Sequence, residues 1–321
     1  MAVRIGFFGS GGIARAHMQA LAQIEGAEMV GFCDVAADRA QACADQYHGR
    51  AYSDLGAMLD AEKLDALYVC TPPHVHGEPE ILAAGRGLHL FIEKPIANNL
   101  DTANKVLAAI EKAGVLNSVG YHMRYLDTVD RAKELAAGQT LGMLLGYWMG
   151  GMPGVPWWRV YAESGGQLVE QTTHIFDLAR YFAGEVTHVC AATAVRALQD
   201  VPNFDVTDVG TVTLKFAGGA VGSISNTCLL SVPYTVGLHL IYPKMVLEIA
   251  GGLRVLEPGV TREIRSQVDV RRVQNEAFVR AIQSGKKALI RSDYADARRS
   301  LAVSLAANES AATGQAVAVP K

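Results

Sequence analysis

Residues 1–122 predict a doubly wound parallel α/β domain, and the rest of the chain predicts an α+β domain with an antiparallel sheet. Three observations carry this. Up to residue 122, short strand-like runs that are apolar almost throughout alternate with amphipathic helical patterns, as a sheet buried on both faces requires. A glycine-rich turn joins the first such strand to the first such helix. Beyond residue 187, strand signals follow one another without an intervening helix.

Strand signals in the first part stand at residues 3–8, 28–32, 66–70, 88–92 and 115–120. Helical patterns between them cover 13–24, 36–47, 76–84 and 102–113. After a helix near 128–137 comes a stretch rich in Gly, Trp and Pro (146–158), then a strong helical pattern at 168–182. Strands follow from 187 to 256, including 209–216, 220–228 and 236–242. Two helices at 274–283 and 294–313 and a last strand at 316–319 complete the chain. The domain boundary is expected at residue 122, giving domains 1–122 and 123–321.

With 321 residues, half of them apolar, the chain can bury two cores without metals or disulfide staples. Its net charge of −3 is unlike that of an electrostatic nucleic-acid binder. The longest uncharged runs, 141–158 and 217–238, are broken by Gly and Pro, so no membrane helix is expected. The N-terminus enters a strand pattern at once, with no basic stretch before an apolar signal core. Cys33, Cys43, Cys70, Cys190 and Cys228 are odd in number and form no Cys-x-x-Cys pair; buried free thiols in a reducing, cytoplasmic setting are expected. No His/Cys cluster has metal-ligand spacing and no Gly-x-Ser-x-Gly elbow is present, so no metal and no serine nucleophile are expected.

The turn after the first strand reads Gly9-Ser10-Gly11-Gly12-Ile13-Ala14, a G-x-G-x-x-A pattern opening a helix. Gly9 permits the tight turn, Gly11 lets backbone approach a pyrophosphate, and Ala14 allows close helix–strand packing. Gly12 and Ile13 start the helix, whose free N–H groups and positive dipole end suit phosphates. Such a pattern alone is weak, and a structural turn would share its letters. Its setting between strand and helix, with Asp34 ending the second strand about 20 residues on, points to a Rossmann dinucleotide site. A carboxylate at Asp34 suits ribose hydroxyls and repels a 2′-phosphate. No Arg follows it directly, so NAD is favoured over NADP.

A strand also ends in Glu93-Lys94-Pro95, at the edge where ligands of such sheets collect. In an arbitrary protein Lys94 would be an exposed loop residue paired with Glu93. Together, however, the G-x-G-x-x-A turn, the segment Val69-Cys70-Thr71-Pro72-Pro73-His74-Val75-His76, Glu93-Lys94-Pro95 and Gly120-Tyr121-His122-Met123-Arg124 resemble the glucose–fructose oxidoreductase/inositol dehydrogenase/MocA family. The resemblance implies a Rossmann domain followed by an α+β domain with a large open, mainly antiparallel sheet, through which members often assemble as homodimers or homotetramers. It implies an NAD(P)-dependent dehydrogenase of sugars, polyols or their derivatives. Lys94 takes the place of the lysine that touches the reacting hydroxyl and orients the nicotinamide. Thr71, Pro72, His76 and Glu93 join Gly9, Gly11, Gly12, Ile13, Asp34 and Lys94 as expected cofactor contacts.

Gly165-Gly166 leads into a helical segment on which Glu170, His174 and Asp177 are spaced i, i+4, i+7 and so share a face. On a solvated helix, Glu170 and His174 would simply pair. The family resembles G-G-G-x-x-x-D-x-G-x-H-x-x-D here, which makes His174 the counterpart of the catalytic His. Glu170 stands where Asp is usual, Gln167 replaces the third Gly and Thr172 another Gly. Tyr121, Arg124, Trp158 and Asp177 are expected substrate contacts; for Trp158 and Arg124, core packing and an interdomain ion pair are equal alternatives. His174 is expected to take the alcohol proton, since an imidazole titrates near neutrality. Lys94 would stabilise the developing alkoxide and Glu170 would orient His174. Two other readings share the scaffold: a glycosidase or lyase that recycles its NAD, and a non-catalytic NAD- or sugar-sensing regulator. The second has no need of both Lys94 and His174.

Overall fold

A computed structural model describes residues 2–321. The chain forms two compact units: residues 1–125 with 268–298, and residues 126–267 with 299–321.

The first unit runs β1 Val3–Phe8, α1 Gly12–Leu21, β2 Ala27–Cys33, α2 Ala37–Tyr47, β3 Arg50–Tyr52, α3 Leu55–Ala61, β4 Ala66–Val69, α4 Glu78–Gly85, β5 His89–Ile92, α5 Leu100–Ala113 and β6 Asn117–Val119. Its six strands are parallel in the order β3-β2-β1-β4-β5-β6, the Rossmann arrangement. The sequence pattern does not reveal β3 and α3; each is short, and the strand is only partly buried, so neither prints a long apolar run.

The second unit opens with α6 Asp127–Ala136 and continues through β7 Met143–Met149, α7 Tyr161–Ser164, α8 Gln167–Glu170, α9 Thr173–Ala183 and β8 Val186–Ala194. Next come β9 Val209–Phe216, β10 Val221–Thr227, β11 Thr235–Tyr242, β12 Met245–Ile249, β13 Gly252–Glu257 and β14 Val260–Arg265. After α10 Val270–Ser284, α11 Tyr294–Thr313 and β15 Val317–Ala318 close the chain. The nine-stranded sheet is ordered β14-β13-β12-β11-β7-β10-β9-β8-β15 and is antiparallel except where β7 pairs with β10. Alternation sets its two faces. Leu144, Ile224, Leu238, Leu240, Leu247 and Val255 are buried on one, which α6, α8 and α9 cover. Leu145, Tyr147, His239, Ile241 and Val246 are only half buried on the other.

Three expectations are corrected. The second domain is not the continuous span 123–321. Residues 268–298 return to the first unit because α10 carries Phe278 and Val279 into the Rossmann core, where Phe278 meets Tyr68 and Phe91 edge-on. The helix expected over 168–182 is interrupted: Gln171 and Thr172 form a turn between α8 and α9. The five cysteines are free. Burial pushes the Cys33 thiol up to about 11 and Cys228 up to about 12, whereas Cys190 on β8 is exposed rather than buried. No helix among the described residues is long and apolar enough to cross a membrane.

Candidate active site

The dinucleotide turn is shaped as its glycines suggest. Gly9 has φ +94°, and a Cβ there would lie 2.4 Å from the Cys70 carbonyl oxygen. Only glycine allows β1 and β4 to converge this way. Cβ atoms on Gly11 or Gly12 would meet nothing within 4 Å, so this part of the turn is open to a ligand. Ile13 is partly exposed at the helix start and Ala14 is fully buried. The first turn of α1 carries no acidic side chain, which leaves its positive end free for an anion. Asp34 is buried at the end of β2, its two carboxylate oxygens accepting from Ser10 N–H at 2.8 Å and Ala36 N–H at 2.9 Å. The carboxylate is thereby fixed against the turn and keeps lone pairs for a further donor. Beyond β4, the Thr71 side-chain oxygen is buried without a hydrogen-bond partner. Open glycines, an anchored carboxylate and an orphaned hydroxyl at the strand ends fit an adenine dinucleotide, which these residues would hold.

His76, expected as a cofactor contact, is buried with both ring nitrogens close to protein groups. One ring nitrogen lies 3.1 Å from the Thr71 carbonyl oxygen and the other 2.6 Å from Glu80. Burial disfavours its charge, but Glu80 and the carbonyl prevail and hold its pKa above the ordinary value. Pro72 precedes a short 3-10 turn over Pro73–Val75, and His74 is exposed.

Lys94 follows β5, half buried, and its bond to Pro95 is cis. Glu93 is buried against it. Its carboxylate accepts from the Lys94 N–H at 3.0 Å and meets His17 Nε2 at 2.8 Å. Burial alone would raise the Glu93 pKa, yet the hydrogen bond and charge of His17, with Lys94 and His122, hold it below the usual carboxylate range. Gly120 makes room for this carboxylate, since a Cβ there would lie 2.5 Å from it. The buried pair of His17 and Asn275 is not apparent in the sequence. A histidine on the apolar side of α1 is the visible signal, but its partner stands 258 positions away.

His122, beside Glu93, is the other unexpected member. Burial lowers its pKa to about 4, with Arg271 and Lys94 adding to the shift and Glu93 opposing it. An unfolded chain protonates such a histidine near pH 6.5, so between about pH 6.5 and 4 the unfolded state binds more protons. Folding stability therefore falls as pH drops through that window, by as much as about 3 kcal/mol for a shift of this size. Urea unfolding at pH 7 and pH 4.5 checks this: His122→Gln should lose less stability on acidification than the wild type. An equal loss would show that His122 is not responsible.

In the second unit, His174 on α9 is 4% exposed and stacks on Trp148 of β7, with ring centroids 5.5 Å apart and planes 13° apart. Glu170 ends α8, before the interruption, and its carboxylate accepts from the Trp158 indole N–H at 2.7 Å. The single helical face expected for Glu170, His174 and Asp177 thus does not exist as a continuous stripe. Asp177 is buried and accepts from Ser300 Oγ at 2.9 Å, which in turn accepts from Arg180 at 2.7 Å. This carboxylate belongs to an internal network, not to a substrate surface. Trp158 is fully buried and cannot offer a face to a sugar ring; it anchors Glu170. In the first unit, Arg124 pairs with Asp296 at 2.5 Å and donates to the Arg291 carbonyl at 2.8 Å. It is an ion-pair partner within that unit, not a substrate contact. Tyr121 is likewise buried, at 1% exposure.

A six-stranded parallel sheet with a G-x-G-x-x-A turn after β1 and an anchored acid at the end of β2 defines a dinucleotide-binding Rossmann fold. Residues 3–121 match the model of an oxidoreductase family with an NAD-binding Rossmann fold, and residues 129–251 match the GFO/IDH/MocA C-terminal domain. The chain belongs to the glucose–fructose oxidoreductase/inositol dehydrogenase/MocA family, and its first unit is an NAD-binding Rossmann domain. It is 31% identical to the uncharacterized oxidoreductase YrbE of Bacillus subtilis over 69% of this chain and 66% of that protein. It is 30% identical to myo-inositol 2-dehydrogenase of Thermotoga maritima over 70% of this chain and 68% of that protein. The chain thus spans about two thirds of the length of these curated relatives. Among solved structures, it resembles the WlbA dehydrogenase of Bordetella pertussis, determined in complex with NADH and UDP-GlcNAcA. The TM-score is 0.87 and the identity 25%, covering all of both chains.

Proposed function

We propose that the protein is a cytoplasmic NAD-dependent dehydrogenase that reversibly oxidises a secondary alcohol of a sugar, polyol or sugar derivative. The observation that carries this reading is the retention of two chemically competent groups, Lys94 and His174, each in a constructed setting. Lys94 is tied through its backbone to a buried carboxylate, and His174 is stacked on an indole. The named dehydrogenases among the relatives support the reaction class.

In the proposed reaction the His174 imidazole accepts the alcohol proton as general base. The Lys94 ammonium donates a hydrogen bond to the developing alkoxide and stabilises its negative charge. Glu170, fixed by Trp158, keeps the polypeptide leading into His174 in place. Bound NAD would supply the hydride acceptor. Gly11, Gly12 and the start of α1 would hold the pyrophosphate, Asp34 the adenosine ribose, and Thr71 Oγ1 a further cofactor donor or acceptor.

A panel of polyols, aldoses and sugar acids, offered with NAD and followed by NADH absorbance, tests the reading. Sustained NADH formation supports it. Turnover of a substrate without net NADH would instead identify an NAD-recycling lyase or glycosidase, and NAD binding without turnover a regulator. Cofactor choice is read separately by calorimetry: Asp34 predicts tighter binding of NAD(H) than of NADP(H), with Asp34→Ser combined with Val35→Arg shifting the preference. Equal affinities would remove Asp34 from ribose selection. We further propose a homodimer or homotetramer formed on the half-buried sheet face bearing Leu145, Tyr147, His239 and Ile241. Sedimentation of a pure monomer at micromolar concentration would overturn that assembly.

A further inference from the structure

We infer that His17 and Asn275 are positioning residues for Lys94, acting through Glu93. The inference rests on the role given to Lys94 above. Four groups form one buried chain of hydrogen bonds. The Lys94 N–H donates to Glu93 Oε2 at 3.0 Å, and Glu93 Oε1 lies 2.8 Å from His17 Nε2. An ionised carboxylate only accepts, so Nε2 carries the proton. Nδ1 faces the Asn275 side-chain amide, 2.9 Å from its nitrogen and 3.2 Å from its oxygen. The amide nitrogen donates to the Arg271 carbonyl at 2.7 Å. His17 is 1% exposed, Asn275 0% and Glu93 6%.

Aliphatic side chains would fill positions 17 and 275 at less cost, since each buried polar group must be matched by a partner. His17 meets the Glu93 carboxylate directly, and Asn275 reaches it through His17. What the chain accomplishes is to fix the Glu93 side chain, with Gly120 closing it in from another side. That carboxylate in turn holds the backbone from which Lys94 extends. Three separate pieces of sequence meet there: the helix that opens the cofactor turn, the loop after β5, and the returning helix α10. A displacement of about 1 Å in a reacting group can cost about 10²-fold in rate, so a fixed backbone here has a catalytic consequence.

The experiment compares His17→Leu, His17→Gln, Asn275→Leu and Lys94→Ala. It reads kcat and KM with the polyol or sugar that gives the fastest NADH formation in the panel, and NADH affinity by fluorescence. His17→Leu and Asn275→Leu should lower kcat by about 10-fold to 10²-fold with KM and NADH affinity nearly unchanged. His17→Gln, whose amide can donate to Glu93, should recover most of the loss. Crystal structures of NAD-bound His17→Leu or, if that variant does not fold, of Asn275→Leu, give a readout independent of turnover. The Lys94 backbone should move by about 0.5 Å or more, the tolerance of a productive site. Wild-type kcat in the His17 and Asn275 variants, beside a severely impaired Lys94→Ala, would overturn the inference while leaving Lys94 its role. Full activity in Lys94→Ala would overturn that role itself. An unmoved Lys94 backbone would overturn the inference whatever the rates.

Discussion

Replacing His174 with Ala should lower kcat by about 10² to 10⁴-fold, the loss expected when a positioned general base is removed. Trp148 stacks on the imidazole, and α9 holds it from a helix packed on the sheet. Deleting the ring leaves a gap beside an indole and removes none of the groups assigned to the dinucleotide. NADH affinity should therefore change only modestly, and circular dichroism should show a folded protein. Stopped-flow measurement of NADH formation separates the hydride step from product release. A variant that folds normally and keeps wild-type kcat would place the base elsewhere.

The second large effect belongs to Lys94→Ala. Loss of one preorganised donor to a developing oxyanion costs about 10²–10³-fold in kcat. Lys94 also follows the strand end where the nicotinamide is expected, so this variant should weaken NADH binding more than His174→Ala does. The contrast is diagnostic: one residue acts on the proton alone, the other on both charge and cofactor orientation. Equal effects of the two substitutions on NADH affinity would contradict this division. Glu170→Gln should be milder than either, because Trp158 can still donate to the remaining amide oxygen.

The Rossmann unit is largely legible because its signals are local. The apolar strand runs recur in order along the first 120 residues, the turn at Gly9–Ala14 and the acid at Asp34 lie within the first 34, and each has a direct physical meaning. The second sheet is legible as alternation, though β7 is obscured by the Gly, Trp and Tyr residues that give it a mixed face. The hidden part is non-local. Nothing near Phe278 says that its ring completes a core begun at Val3, and nothing near Asn275 names His17. The stripe of Glu170, His174 and Asp177 fails for another reason. Periodicity assumes an unbroken helix, and the turn at Gln171-Thr172 separates α8 from α9, so the 3.6-residue period does not carry across it. Among the expected substrate contacts, residue type alone singles out Trp158, Arg124 and Asp177, and burial with internal partners assigns each of them a supporting part instead.

The return of α10 to the first unit has a consequence for how the protein is made. When residue 125 leaves the ribosome, every strand of the parallel sheet exists, but Tyr68 and Phe91 still lack the cover that Phe278 supplies. Residue 298, where that unit ends, is 173 positions later (298 − 125). At about 5–20 residues per second, the interval is roughly 10–35 s. During that time the nascent cofactor domain would lack its cover over this aromatic surface, and exposed surface of this kind is what chaperones that hold emerging chains bind. A gene cut after codon 125 should accordingly yield an aggregating product, and adding back residues 268–298 in trans or by fusion should restore its solubility.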